Sequence, residues 1–153
     1  MRQTPGPMIV ARAPALEVVI EAAAARGEMR RANAALAEVR RAARSADTLP
    51  MRAAVRLAEA TIAVASGEHE RARPLLQDAV DAFDRSEAPF ESGLARLRLA
   101  LCLTALGRGG QAMHEGRASL TRFGALGANA PLTGPARCST PRAVAARRST
   151  ACR

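Results

Sequence analysis

Apolar and polar residues alternate along this chain at the period of an α-helix, in six successive blocks. Leu16, Val19, Ile20, Ala23 and Ala24 fall at i, i+3, i+4, i+7 and i+8. They predict a helix from 15 up to the glycine at 27. Ala32, Leu36, Val39 and Ala43 stripe a second helix over 29–46, and "SADTLP" after it reads as a loop. The third, over 51–65, carries Val55, Ala58, Ile62 and Ala65 on one face and Leu57, Ala60 and Val64 on another. Both faces are buried only if helices pack on both sides. The stretch "SGEHERARPLLQDAV" opens the fourth, over 70–86, where Ala72, Leu75, Leu76, Ala79, Val80 and Phe83 give the cleanest stripe. Pro74 fits there if it lies near the helix start, because the first four N–H groups have no intrahelical acceptor. Asp81 and Arg85 are spaced to pair on the wet face. The fifth helix, over 90–106, is apolar on most sides and is expected at the centre. The sixth, over 110–123, is weaker, with Gly116 interrupting it.

The blocks repeat. Gly27, Gly67 and Gly107 are evenly spaced, and the fifth position after each is alanine: Ala32, Ala72 and Ala112. Four further on are Leu36, Leu76 and Gly116, and three beyond those Val39, Ala79 and Ser119. A glycine allows the sharp turn between two antiparallel helices. The alanine allows close approach within the pair, and the leucine fills the gap towards the next pair. Such a unit cannot bury its apolar face alone, so units stack.

This pattern resembles the tetratricopeptide repeat, whose second helix follows G-x-x-x-x-A-x-x-x-large-x-x-A. Gly67, Ala72, Leu76 and Ala79 match it fully. Gly27, Ala32 and Leu36 match, with Val39 in place of the last alanine. Gly107 and Ala112 match, with Gly116 and Ser119 departing. The period here, from Gly27 to Gly67 and from Gly67 to Gly107, is longer than the family's, and the aromatic positions of the family's first helix are not kept. The resemblance implies an all-α fold: three antiparallel helix pairs stacked as a short right-handed solenoid over 15–124. The run from Ser66 to Arg108 is also similar to the end of the repeat region in large ATP-binding LuxR-type bacterial transcriptional regulators. That likeness implies a repeat module without its ATPase. "PLTGPARCSTP" begins at Leu132 and Thr133 like the family's L-T-x-R-E run and then departs, as a frame-shifted remnant of a helix-turn-helix domain would.

Composition agrees with helices and limits the chemistry. Of 153 residues 48% are hydrophobic but only 2% aromatic, and the surplus is alanine and leucine, the strong helix formers. Alanine buries little area, so modest stability or dependence on neighbours is expected. Every basic residue is arginine. Without lysine there is neither a Schiff-base amine nor a phosphate loop ending in G-K-[ST]. Residues 1–115 hold 16 Arg against 14 acids, while residues 116–153 hold 7 Arg and no acid. Pro5, Gly6, Pro7 and Pro14 mark residues 1–14 as a flexible leader, and 125–153 reads as a basic, disordered tail. No apolar run approaches the length of about 20 residues that spans a membrane. The three cysteines, Cys102, Cys138 and Cys152, form no C-x-x-C pair. A reducing cytoplasm suits them, with Cys102 a buried small hydrophobe.

Candidate chemistry is sparse. His69 and His114 occupy different repeat positions and read as exposed helix-end residues, with no ligand spacing for a metal. "GRGGQAMHEG" follows a helix rather than a strand, so it reads as a turn and not a phosphate cradle. Arg30, Arg31, Arg40, Arg41 and Arg44 crowd one helix, either as a solvated face or as a dock for an acidic helix. Phe83, Phe90 and Phe123 are expected to be buried. No catalytic, cofactor or metal residue is expected. The sequence points to a non-catalytic scaffold that binds a protein or peptide. The alternative is a DNA-associated regulator touching phosphates through Arg137, Arg142, Arg147 and Arg148.

Overall fold

The structure, a computed structural model, describes residues 13–127. Among them are six helices and no strand: α1 (Ala13–Ala25), α2 (Met29–Ala46), α3 (Leu49–Ala65), α4 (His69–Arg85), α5 (Pro89–Ala105) and α6 (Gly109–Ala125). Each of α3 to α6 is 17 residues long and is followed by a short turn. The pairs α1–α2, α3–α4 and α5–α6 form three units. Consecutive helices pack on one another throughout, which is the architecture of a helical-repeat stack.

The turns set the period of the repeat. Residues in the left-handed region stand at 27, 47, 67, 87, 107 and 127, at even intervals along the chain. From α2 to α6 each helix-plus-turn therefore has the same length, and two such helices make one unit. Within each unit the left-handed residue is glycine, with φ of +74° at Gly27, +77° at Gly67 and +72° at Gly107. Each of these ends its helix in the same way. Gly67 N–H donates to the Val64 carbonyl at 2.9 Å and Glu68 N–H to that of Ala63 at 2.8 Å. This pair of bonds satisfies carbonyls that the helix end leaves open. Between units the left-handed residues are Asp47 and Glu87, and then Gly127. Glu87 closes its turn with the same long bond, from Ala88 N–H to the Phe83 carbonyl at 3.0 Å. A side chain with Cβ costs about 1–2 kcal/mol in this conformation, and glycine's extra freedom in the unfolded chain takes part of that back. Glu87→Gly is therefore expected to raise stability by about 0.5–1 kcal/mol in urea unfolding. A loss of stability would show that Glu87 is held by contacts outweighing its strain.

Helix boundaries differ from the sequence pattern at several points. α1 begins at Ala13, so Pro14 lies in its first turn, where a missing N–H costs nothing, instead of ending a leader. α6 runs through Gly116 and ends at Ala125, because its packing on α5 outweighs the glycine's propensity cost. Pro74 is the sixth residue of α4, beyond the four free N–H groups. It therefore removes the donor that the Glu70 carbonyl would use, on a side where both residues are open to water. Asp81 and Arg85 do not form an ion pair with each other; Arg85 ends α4 exposed. Residues 1–12 and 128–153 lie outside the described residues. With them lie the leader and tail readings, and Arg137, Arg142, Arg147, Arg148, Cys138 and Cys152.

The repeat-defining residues are the seam of the stack. Ala32, Ala72 and Ala79 are fully buried, and Leu36, Leu76 and Ala112 nearly so. α3 is buried on two sides. Its Ala54 and Ala58 pack with Ile20, Leu36 and Val39, while its Leu57, Ala60 and Ala63 join a larger cluster with Leu76, Phe83, Leu99 and Leu103. Ser119 takes the place of the last repeat alanine and is also buried. Its hydroxyl donates to the Gly93 carbonyl at 2.8 Å, which satisfies the polar atom. A Cβ added at Gly93 would meet the Phe123 ring at 3.1 Å, so α5 and α6 cross closely there.

Candidate functional site

One face of the stack gathers the same repeat position from all three units. Glu21 on α1, Thr61 on α3 and Leu101 on α5 are separated by one repeat period each. All three line a single pocket of about 200 Å³, together with Val64 and Arg98. The pocket is thus a groove across the first helix of each unit. Its rim is apolar. Leu101 is 64% exposed, and Val64 is also exposed. This corrects the expectation that α5 is apolar because it is central. Its surplus leucines are not all buried by α4 and α6: Leu97 and Leu101 are exposed, and Leu101 lines the groove. Phe90 is likewise exposed, against the expectation that all three phenylalanines are buried. Only Phe83 is in the core; Phe123 is half-buried and meets the Phe90 ring edge-on, with centroids 5.8 Å apart.

Arg98 is the polar centre of the groove. Its side chain extends from α5 and donates to the Thr61 hydroxyl on α3 at 2.7 Å. It also forms an ion pair with Glu21 on α1. One arginine therefore ties together all three units. Glu17, one turn before Glu21, is half-buried beside this pair. Burial pushes its carboxyl up to about 7, the negative charges of Glu21 and Glu91 add to that, and Arg98 opposes it.

The sign of this shift gives a pH dependence. Glu17 binds its proton more tightly in the folded protein than in the unfolded chain. Its contribution is therefore fully present below about pH 4.5 and is lost as pH rises through about 7. Glu17→Gln keeps the neutral shape at all pH. It is expected to raise stability at pH 8 by about 1–2 kcal/mol, after discounting for partial solvent screening, and to change little at pH 4.5. Urea titrations of both proteins at the two pH values check this. An equal effect at both would show that the charge of Glu17 carries no cost in the fold.

Cys102 is buried at the floor of the groove, and its thiol donates to the His69 backbone carbonyl at 3.3 Å. Burial, helped by the charge of Glu70, pushes this thiol up, away from the thiolate that nucleophilic chemistry needs. His69 is half-buried at the start of α4 rather than exposed, because the groove wall covers it, and its Nδ1 has no partner among the described residues. His114 is exposed, but lies inside α6 and not at its end. Among the described residues no group of His, Cys, Asp and Glu is placed to hold a metal ion. None of the described helices is long and apolar enough to cross a membrane.

The arginine-rich second helix builds a different surface. Arg40, Arg44, Arg52 and Arg56 surround a hollow of about 320 Å³ between α2 and α3. Acids already pair with three of these arginines. Arg40 and Arg56 share Glu59, at 2.7 and 3.2 Å, and Arg52 pairs with Asp47 at 2.7 Å. Arg30, Arg31 and Arg41 lie exposed, Arg31 beside Glu28 and Arg41 beside Glu38.

Sequence reasoning about single residues passed over Glu17, Glu21, Thr61, Arg98 and Leu101. Two signals pointed to Glu21, Thr61 and Leu101, and none to Glu17 or Arg98. One is that Glu21, Thr61 and Leu101 share a repeat position; the other is the leucine surplus of α5, too large for one buried face. Comparison of the chain with protein families, with curated proteins and with solved structures finds no match.

Proposed function

We propose that this chain is a non-catalytic interaction module that holds a peptide or helix of a partner protein in the groove across α1, α3 and α5. The observation that carries the reading is the convergence of one repeat position from each unit on a single groove. That groove pairs exposed leucine and valine with a charged pair at its centre, the composition of a recognition surface. A partner segment with apolar anchors would cover Val64 and Leu101. Polar groups beside those anchors would meet Arg98 and Glu21. The likeness of Ser66–Arg108 to the repeats of LuxR-type regulators supports a regulatory setting for such a module.

Peptides selected from a random display library on the full chain test this reading. Fluorescence anisotropy with a selected peptide is expected to show binding weakened at least about tenfold by Leu101→Glu, the loss expected when a charge replaces a buried apolar anchor. Arg85→Glu, on the opposite helix layer, is expected to leave binding unchanged. Failure to select any peptide, or equal binding by both variants, would overturn it.

A further inference from the structure

Among the described residues the repeat leaves two faces unmatched, one at each end of the stack. On α4 the residues turned towards the next unit include Leu76 and Val80, both buried against it. Their equivalents on α6 are Gly116 and Leu120. Leu120 is 69% exposed, its neighbour Met113 is also exposed, and a Cβ added at Gly116 would meet nothing. On α3 the residues turned towards the preceding helix are Val55, Ala58 and Ile62. Their equivalents on α1 are Ala15, Val18 and Ala22, all exposed, Val18 by 64%.

We propose that a second copy of this chain fills both faces: α1 of one molecule seats on α6 of another, and the stack continues head to tail. The register of the internal junctions identifies the occupant. At the first junction, position 40 meets position 59, and Arg40 pairs with Glu59 at 2.7 Å. At the second junction the same positions are Val80 and Leu99, both buried in one cluster. At the open junction they become Leu120 and Val19 of the next copy, apolar against apolar. The Asp84–Arg96 ion pair of the second junction, at 2.7 Å, becomes Gly124 and Leu16, so no charge is stranded there. The Cys102–His69 contact becomes Ala22 and Gly109, two small residues that permit close approach.

Charge favours this arrangement over a symmetric one. Ala15, Val18 and Ala22 on the outer face of α1 carry no charge, whereas Arg117 lies exposed between Met113 and Leu120 on α6. Pairing α6 with α6 would set two Arg117 side chains together at the centre of the contact. A head-to-tail contact does not close on itself, so it yields open chains of variable length.

Sedimentation velocity on the full chain tests the proposal. A single helix-on-helix seat is small, so dissociation constants on the order of 10–100 µM are expected. The mean mass should rise across that range from one chain towards two and three. Val18→Arg and Leu120→Arg each block one end. Each variant alone is expected to stay monomeric, with its helical circular dichroism unchanged. Their equimolar mixture is expected to form a 1:1 dimer and nothing larger, because one intact α6 and one intact α1 remain. Three results would overturn the proposal. One is wild-type protein that stays monomeric at all concentrations, as when residues 1–12 or 128–153 of the same chain cover these faces. Another is a dimer that survives in Val18→Arg, the mark of symmetric α6 pairing. The third is a mixture that stays monomeric.

Discussion

Leu76→Ala is expected to destabilise the protein by about 3–4 kcal/mol in urea unfolding, the loss expected of a leucine at a fully packed junction. Leu76 is 1% exposed and stands where α3, α4 and α5 meet. Its removal forfeits the transfer energy of the leucine side chain and leaves a cavity. The cavity term should be high, because many of the neighbours are alanines. Ala60, Ala63, Ala72 and Ala79 have no flexible side chain to swing into the space. For a domain whose total stability is about 5–15 kcal/mol, this is a large share. Leu120→Ala removes the same atoms from an exposed site and is expected to change monomer stability by less than about 0.5 kcal/mol. Similar losses from both substitutions would show that Leu76 does not join the units.

The second large effect belongs to a charged network. Arg96 on α5 holds Asp84 of α4 and Glu115 of α6, each at 2.7 Å, and Arg122 reaches Asp84 at 3.0 Å. The Ser92 hydroxyl also donates to Asp84, at 2.5 Å. Arg96 is 17% exposed, so these charges are only partly solvated. Burial alone would raise the Asp84 carboxyl. The bonds from Ser92 and Arg96 and the charges of Arg96 and Arg122 outweigh it, and hold the group below its ordinary range. Arg96→Met takes from Glu115 its cation and leaves half-buried Asp84 with Arg122 and Ser92 alone, and is expected to cost about 2–4 kcal/mol at pH 7. Its sign with pH is opposite to that of Glu17. Asp84 stabilises the fold above its unfolded value near 3.8, and that contribution fades as pH falls through the lower folded value. A double-mutant cycle of Arg96→Met with Asp84→Asn should give a coupling of at least about 1 kcal/mol. A coupling near zero would reduce the network to surface charge.

Much of the stack is legible in the sequence because its physics is local. Helical periodicity and Gly27, Gly67 and Gly107 depend on neighbours a few positions away. For α2 the limits of the apolar pattern coincide with those observed, and for the others they lie close by. Other features depend on contacts between distant residues. The left-handed turns at Asp47 and Glu87 carry no glycine, so their place in the rhythm of turns shows only in the backbone. The continuity of α6 through Gly116 comes from its packing on α5. Arg98 gives no local signal, because its partners Thr61 and Glu21 lie one and two units away along the chain. Leu97 and Leu101 read as core, since hydrophobicity alone cannot separate a buried position from an exposed one. The Asp84–Arg96–Glu115 network is invisible for the same reason as Arg98.

The claim that the groove across the first helices is where this protein meets a partner is tested most directly by NMR on the full chain titrated with a selected peptide. Chemical-shift changes are expected to centre on Thr61, Val64, Arg98 and Leu101, with smaller changes at Glu21. Changes centred on the outer faces of α2 and α4, with the groove residues unmoved, would contradict it.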